Sequence, residues 1–311
     1  MKQTYPKLIV FCSFVIGTLA VAGSACGKVA VFVSIAPQKY FVQQIGKNLV
    51  DVHVMVPPGV DPHTYEPKPK QMVALAGAQL YFAIGVEFEK ARLKKISAGN
   101  PQMKVIDTEQ GIRKIPMTAH RHRDEEKEHQ KGEHSAEVGQ GAGDEQHEHG
   151  GLDPHIWLSP PLVMKQAQTI LAALQAVDPI HRSSYEANYE AFSSEIAELD
   201  AELRNIFAGK QGLQFIVFHP AWGYFAAAYG LVQVPVEIEG KNPKPAQLKE
   251  LIENAKEKKI KVIFVQPQFS AKSAEMIARE IGGQVVFADP LAEDWINNLR
   301  AVAEKFKAAL R

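Results

Sequence analysis

Short apolar runs rich in β-branched residues alternate with amphipathic stretches along most of the chain, and this alternation restricts the fold more than any other feature. In the first half the runs are VAVFVSI at Val29 to Ile35, VHVMV at Val52 to Val56, LYFAIG at Leu80 to Gly85 and KVID at Lys104 to Asp107. Between them lie helical patterns such as Gln38 to Gly46 and Lys70 to Ala78. Strands separated by helices build parallel sheets covered on both faces, an α/β architecture. The pattern recurs with LQFIVF at Leu213 to Phe218, VQVPVEI at Val232 to Ile238, IKVIFVQ at Ile260 to Gln266 and GQVVFA at Gly283 to Ala288. Four strands per half predict two (βα)4-type lobes, each with a parallel four-stranded sheet. The sequences of the halves are only weakly alike, so the expected repeat is one of architecture.

Between the halves the period changes. Tyr185, Tyr189, Phe192, Ile196, Leu199, Leu203 and Ile206 recur at alternating spacings of four and three, one apolar stripe on a continuous helix. Asp178 and Pro179 offer a cap and a first-turn proline, and Gly209 a stop. About thirty residues at 1.5 Å rise give a helix of roughly 45 Å. The expected organisation is a leader at 1–25, a first lobe at 26–158, helices at 159–209 that include a linking helix at 179–208, and a second lobe at 210–311. A long rigid helix between the lobes predicts little relative movement of the two.

The leader expectation rests on Lys2 and Lys7, the apolar run Leu8 to Ala22 and the small residues Gly23, Ser24 and Ala25. A run of about fifteen residues suits a signal-peptide core better than a membrane span. Export to the periplasm follows, with lipidation of Cys26 as an alternative start to the mature chain. Cys12 leaves with the leader, so Cys26 has no partner for an internal disulfide. The formal net charge is zero, and losing two lysines makes the rest slightly acidic, which offers nothing to a nucleic acid.

Residues 118–151 have a different composition. Six of the eleven histidines fall there, His120, His122, His129, His134, His147 and His149, among nine carboxylates and four basic residues. Mostly neutral imidazoles on a net anionic segment attract divalent cations. Val138 is the only large aliphatic residue, so the segment cannot bury enough to offset its ordering entropy. It reads as a flexible loop offering weak accessory metal sites.

Three other histidines share a more constrained setting. His63 lies in PPGVDPHTYEPKP, His155 in DPHIWLSPP and His219 in FIVFHPAWGYF. Each follows an expected strand end or a proline-rich turn, and a neighbouring proline limits the backbone freedom of the turn presenting the imidazole. Ligands of doubly wound sheets gather beyond the carboxyl ends of strands, so His63 and His219 could face one cleft. The alternative for each is a hydrogen-bonded surface or core residue. His53 and His181 lack the context and read as ordinary polar residues. Asp289, in VVFADPLAEDW, is a fourth candidate whose alternative role is a helix N-cap. Glu237 and Glu239 are weaker rivals expected to be solvated. Three imidazoles completed by a carboxylate or water suit four-coordinate Zn²⁺, whereas Mn²⁺ draws more oxygen ligands.

The segments PHTYEPKP at Pro62 to Pro69, DPHIWLSP at Asp153 to Pro160, FHPAWGYFAAAYGL at Phe218 to Leu231 and ADPL at Ala288 to Leu291 together resemble the metal-binding (zinc or manganese, cluster A-I, ZnuA-like) substrate-binding proteins of ABC importers. The His-rich insert just before DPHIW resembles their zinc branch. The resemblance implies two four-stranded lobes joined by a long helix with the metal between them. Its ligands would be His63, His155 and His219, with Asp289 where the family often supplies a carboxylate. A histidine at 219, where the manganese branch tends to carry a carboxylate, points to zinc. Pro62 stands where some zinc members have an acidic residue, and the second-lobe disulfide of some members is missing. The resulting expectation is an exported, monomeric, non-enzymatic receptor that takes Zn²⁺ as its transported ligand and passes it to the membrane permease of an ABC importer. Alternatives are a manganese or iron receptor of the same family and a surface metal-buffering or adhesin protein. A zinc hydrolase is disfavoured because the chain has neither HExxH nor GxSxG.

Overall fold

The computed structural model describes residues 27–117, 151–237 and 243–310. The leader at 1–25, Cys26, the six histidines of the insert and Glu239 lie outside the described residues. All eight apolar runs form strands: β1 (Val29–Val33), β2 (Val50–Val54), β3 (Leu80–Ala83), β4 (Lys104–Asp107), β5 (Gln214–Val217), β6 (Val232–Pro235), β7 (Val262–Val265) and β8 (Gln284–Phe287). They pair in parallel in two sheets of the same order, β2-β1-β3-β4 and β6-β5-β7-β8. In each sheet the chain leaves its first strand in both directions, which opens a crevice beyond the carboxyl ends of β1 and β3, and of β5 and β7.

The inner strands β1, β3, β5 and β7 are buried on both faces, as parallel sheets require, and the outer strands are partly exposed. In β5, Phe215 and Val217 join the main core while Ile216 enters a second cluster formed with Leu251, Ala255 and Ile277. The helices α7 (Pro245–Glu257) and α8 (Lys272–Glu280) supply those last three residues. The main core runs from the first lobe into the second without a break, from Phe41 and Phe192 through Trp157 to Phe306. Phe306 of α9 (Trp295–Ala309) fills the space between Phe264 and Phe215, with ring centroids 4.4 and 4.5 Å away.

The first-lobe helices are α1 (Ala36–Gly46), α2 (Pro69–Leu75) and α3 (Glu87–Ala98). Helix α2 and α7 start on a short motif common to both lobes, Lys-Pro-x-Gln at Lys68 to Gln71 and Lys244 to Gln247. Proline takes the first helical position, where no N–H is needed, and the glutamine side chain accepts the N-cap amide at 3.0 and 2.9 Å. This local repeat marks equivalent helix starts in the two lobes.

The segment expected as one linking helix contains a 3-10 turn, Pro179–His181, followed by α5 (Arg182–Ile206). Asp178 shapes that turn: its carboxylate takes His181 Nδ1 and the Tyr185 hydroxyl, both at 2.7 Å. The α-helical part is thus shorter than expected, roughly 37 Å for its 25 residues. Its stripe packs on α1, on α4 (Pro160–Val177) and on α9. The lobes are joined by more than this helix. Trp157 Nε1 donates to Pro290 O and Trp295 Nε1 to Trp157 O, each at 2.7 Å. Tyr224, on α6 (Gly223–Tyr229), donates to Asp153 O at 2.9 Å and accepts the Ile115 amide at 3.1 Å. Among the described residues no helix is long and apolar enough to cross a membrane.

Candidate metal centre

His63, His155 and His219 converge between the two lobes. Their ring centroids lie 5.0 Å (His63 to His219), 5.3 Å (His155 to His219) and 5.9 Å (His63 to His155) apart. One nitrogen from each ring can be chosen so that all three lie within 4.8 Å of one another. A tetrahedral zinc with bonds of about 2.0 Å puts its nitrogens about 3.3 Å apart, so modest inward ring movements close the shell.

Each imidazole is presented by a short local device. In Asp61-Pro62-His63 and Asp153-Pro154-His155 the aspartate accepts the backbone amide of the histidine two residues on, at 2.9 and 2.8 Å. The proline between them fixes the turn. His155 is held a second time, because the same Asp153 oxygen lies 2.7 Å from its Nδ1. Gly223 makes room for this carboxylate: a Cβ there would stand 2.7 Å from Asp153 Oδ2. His219 leaves the end of β5, and Gln266 clasps its backbone, accepting the His219 amide at 3.2 Å and donating to its carbonyl at 2.6 Å. Glu237, just past β6, lies 2.7 Å from His219 Nδ1, and Phe269 stacks on the ring at 5.0 Å.

These contacts decide which nitrogens are free. A carboxylate oxygen accepts, so Nδ1 of His155 and of His219 carries the proton and Nε2 keeps its lone pair. His219 Nε2 is fully buried and has no hydrogen-bond partner. A buried polar atom of that kind needs an occupant beside it. Burial, and next the closeness of the His219 imidazole, which disfavours a second positive charge beside it, push the His63 imidazole below its usual value and favour its neutral, ligating form. The histidines share their chamber with Pro62, Pro154, Trp157, Phe269 and Leu291, and the room left for a water-sized occupant is about 20 Å³. That is space for about one water molecule or ion.

Asp289 is not brought into this group. Its Oδ1 accepts the Leu291 amide at 2.9 Å and Gln268 Nε2 at 3.0 Å. Asp289-Pro290-Leu291 therefore repeats the Asp-Pro-x turn of the two histidine motifs, with leucine at the position His63 and His155 occupy. Glu237, expected as solvated, is buried against His219. Sequence reading had it only as a weaker rival of Asp289, and missed Asp153, Gln266 and Gln268. The repeated Asp-Pro-His was a usable signal for Asp153; for the others no local signal exists. His53 pairs with Asp51 on the exposed face of β2, and His181 with Asp178, both away from the chamber.

A two-lobed α/β protein that turns three imidazoles toward one small chamber between its lobes has the build, as a class, of a receptor for a single metal ion. The family model described as "Zinc-uptake complex component A periplasmic" matches residues 31–309. The chain belongs to this ZnuA family. A solved structure described as "Crystal structure of ZnuA" is 45% identical, covers 91% of this chain and 100% of its own, and superposes with a TM-score of 0.79. The high-affinity zinc uptake system protein ZnuA of Bacillus subtilis (strain 168) is 30% identical over 267 residues, 85% of this chain and 78% of that protein. Its namesake in Yersinia pestis is 26% identical over 296 residues, 91% of each chain.

Proposed function

We propose that this chain is an exported zinc receptor that holds Zn²⁺ on His63, His155 and His219 and delivers it to the permease of an ABC importer. The observation that carries this reading is the convergence of three imidazoles around a buried, unpartnered His219 Nε2. A donor group of three nitrogens without a carboxylate suits Zn²⁺ better than Mn²⁺. The name of the family, and of its relatives in uptake systems, supports an extracytoplasmic receptor that is not an enzyme. The fourth position of the shell belongs to water. The insert histidines, His120 to His149, serve as weak, exchangeable collectors, because no proline-fixed turn in their sequence sets them.

Competition titration of the protein lacking its leader, with and without residues 118–151, tests this arrangement. Deleting the insert is expected to leave one tight zinc site and to remove several weak ones. Loss of the tight site on deletion would move the function back to the insert.

Zinc affinity should also depend on pH in a set direction. The folded state holds His63 below its ordinary value near 6.5, so the unfolded chain takes up its proton first as pH falls. Metal-free stability therefore declines as pH drops through 6.5 toward the folded value. Zinc competes with the same proton, so affinity falls in the same direction, and at His63 the competition sets in below pH 6.5. Titrations stepped from pH 7.5 to 5 check this, and an affinity flat across that range would count against imidazole ligation.

A further inference from the structure

Two residues that line the chamber each carry a buried atom without a hydrogen-bond partner, His219 Nε2 and Gln268 Oε1. A ligand imidazole explains the first. The second has no explanation among the three histidines, and a buried amide oxygen left unpaired is unfavourable. Its orientation is fixed by chemistry. Asp289 Oδ1 can only accept, so the NH2 of Gln268 must face Asp289, as it does at 3.0 Å, and the amide oxygen must face the other way. Asp289 is itself fixed by the Leu291 amide at 2.9 Å, and Asn298 Nδ2 holds the Asp289 carbonyl at 2.7 Å. Gln268, in the loop after β7, thus lines the chamber with its amide pinned on one side by Asp289 and its buried, neutral acceptor oxygen left open on the other.

We infer that Gln268 is a positioning residue for the fourth ligand: its Oε1 accepts a hydrogen bond from the water on the metal, and Asp289 acts through Gln268 instead of binding the metal. This rests on the three-histidine reading above. One water on the ion satisfies both orphaned atoms, since the metal takes Nε2 and the water donates to Oε1. The arrangement also bears on selectivity. A neutral amide keeps anionic oxygen away from the ion, and a carboxylate in its place would supply the donor Mn²⁺ prefers.

The test compares the insert-deleted protein with its Gln268→Ala, Gln268→Glu, Asp289→Asn and Gln268→Ala/Asp289→Asn variants. Zn²⁺ and Mn²⁺ affinities come from competition, the ligand field from the visible absorption of the Co²⁺-loaded protein, and fold integrity from metal-free melting. Gln268→Ala is expected to weaken Zn²⁺ by about tenfold, the lower end of what an outer-shell partner contributes, and to shift the Co²⁺ bands. Gln268→Glu narrows the preference for Zn²⁺ over Mn²⁺. Asp289→Asn keeps an oxygen for Gln268 and Leu291, so it stays within about threefold of the parent, and the double variant is no weaker than Gln268→Ala. Parent-like affinity and Co²⁺ spectrum in Gln268→Ala would overturn the inference. So would an Asp289→Asn loss that exceeds that of Gln268→Ala and adds to it, since Asp289 would then sit on the metal. Absence of a tight zinc site in the parent itself would sink the receptor reading instead.

Discussion

Replacing His63, His155 and His219 together with alanine is expected to abolish tight zinc binding and to leave the fold standing. Each substitution removes a donor worth more than an outer-shell partner, whose loss typically weakens a site 10- to 100-fold. Each single variant should therefore lose at least about 100-fold, and the triple variant should keep only the weak capacity of the insert. The fold survives because it does not rest on these residues: its core is the continuous apolar body that runs from Phe41 to Phe306. Calorimetry of the triple variant settles the matter. One remaining tight zinc site would show that the metal binds elsewhere.

The second large effect is expected without touching a ligand. Glu237 and Asp153 hold Nδ1 of His219 and His155 at 2.7 Å and are themselves buried. Glu237→Ala frees the His219 ring to rotate and to change tautomer, and removes a negative charge beside the cation. Zinc affinity should fall about 10- to 100-fold. Glu237→Gln retains an oxygen for Nδ1–H and should lose less. Asp153→Ala should behave like Glu237→Ala, with an added effect on the turn because the same oxygen accepts the His155 amide. Affinities equal to the parent in both alanine variants would reduce the two carboxylates to packing.

What the sequence disclosed and what it withheld divide along a physical line. All eight strands were legible because β-branched runs bounded by turn residues are local signals, and parallel sheets need them apolar on both faces. Several runs were read one to three residues too long at their carboxyl ends. Ser34, Phe218 and Gln266 lie just past the ends of β1, β5 and β7, although Ser34 and Phe218 still bond to the neighbouring strand's continuation. The three histidines were legible because proline-flanked turns are local too. Glu237 was not: its sequence, VPVEIEG, reads as a strand running into solvent, and only the pairing of β6 with β5 sets it beside His219. Gln266 and Gln268 are neutral amides with no charge or spacing to betray them, and they matter only because β7 ends next to β5. Asp289 stood out as a carboxylate after a strand, yet its Asp-Pro-Leu turn uses the same oxygen for backbone and for Gln268. The short 3-10 turn before α5 escaped notice because a proline and an aspartate are equally good signs of a direct helix start.

The size of the chamber has a consequence for which ions can enter it. With room for about one water-sized occupant among the histidines, an ion held there would have exchanged most of its hydration sphere for protein ligands. Mg²⁺ surrenders its waters reluctantly and demands octahedral oxygen coordination, so a small chamber of three imidazoles is expected to hold it poorly. Selection here starts with what the ion must leave behind.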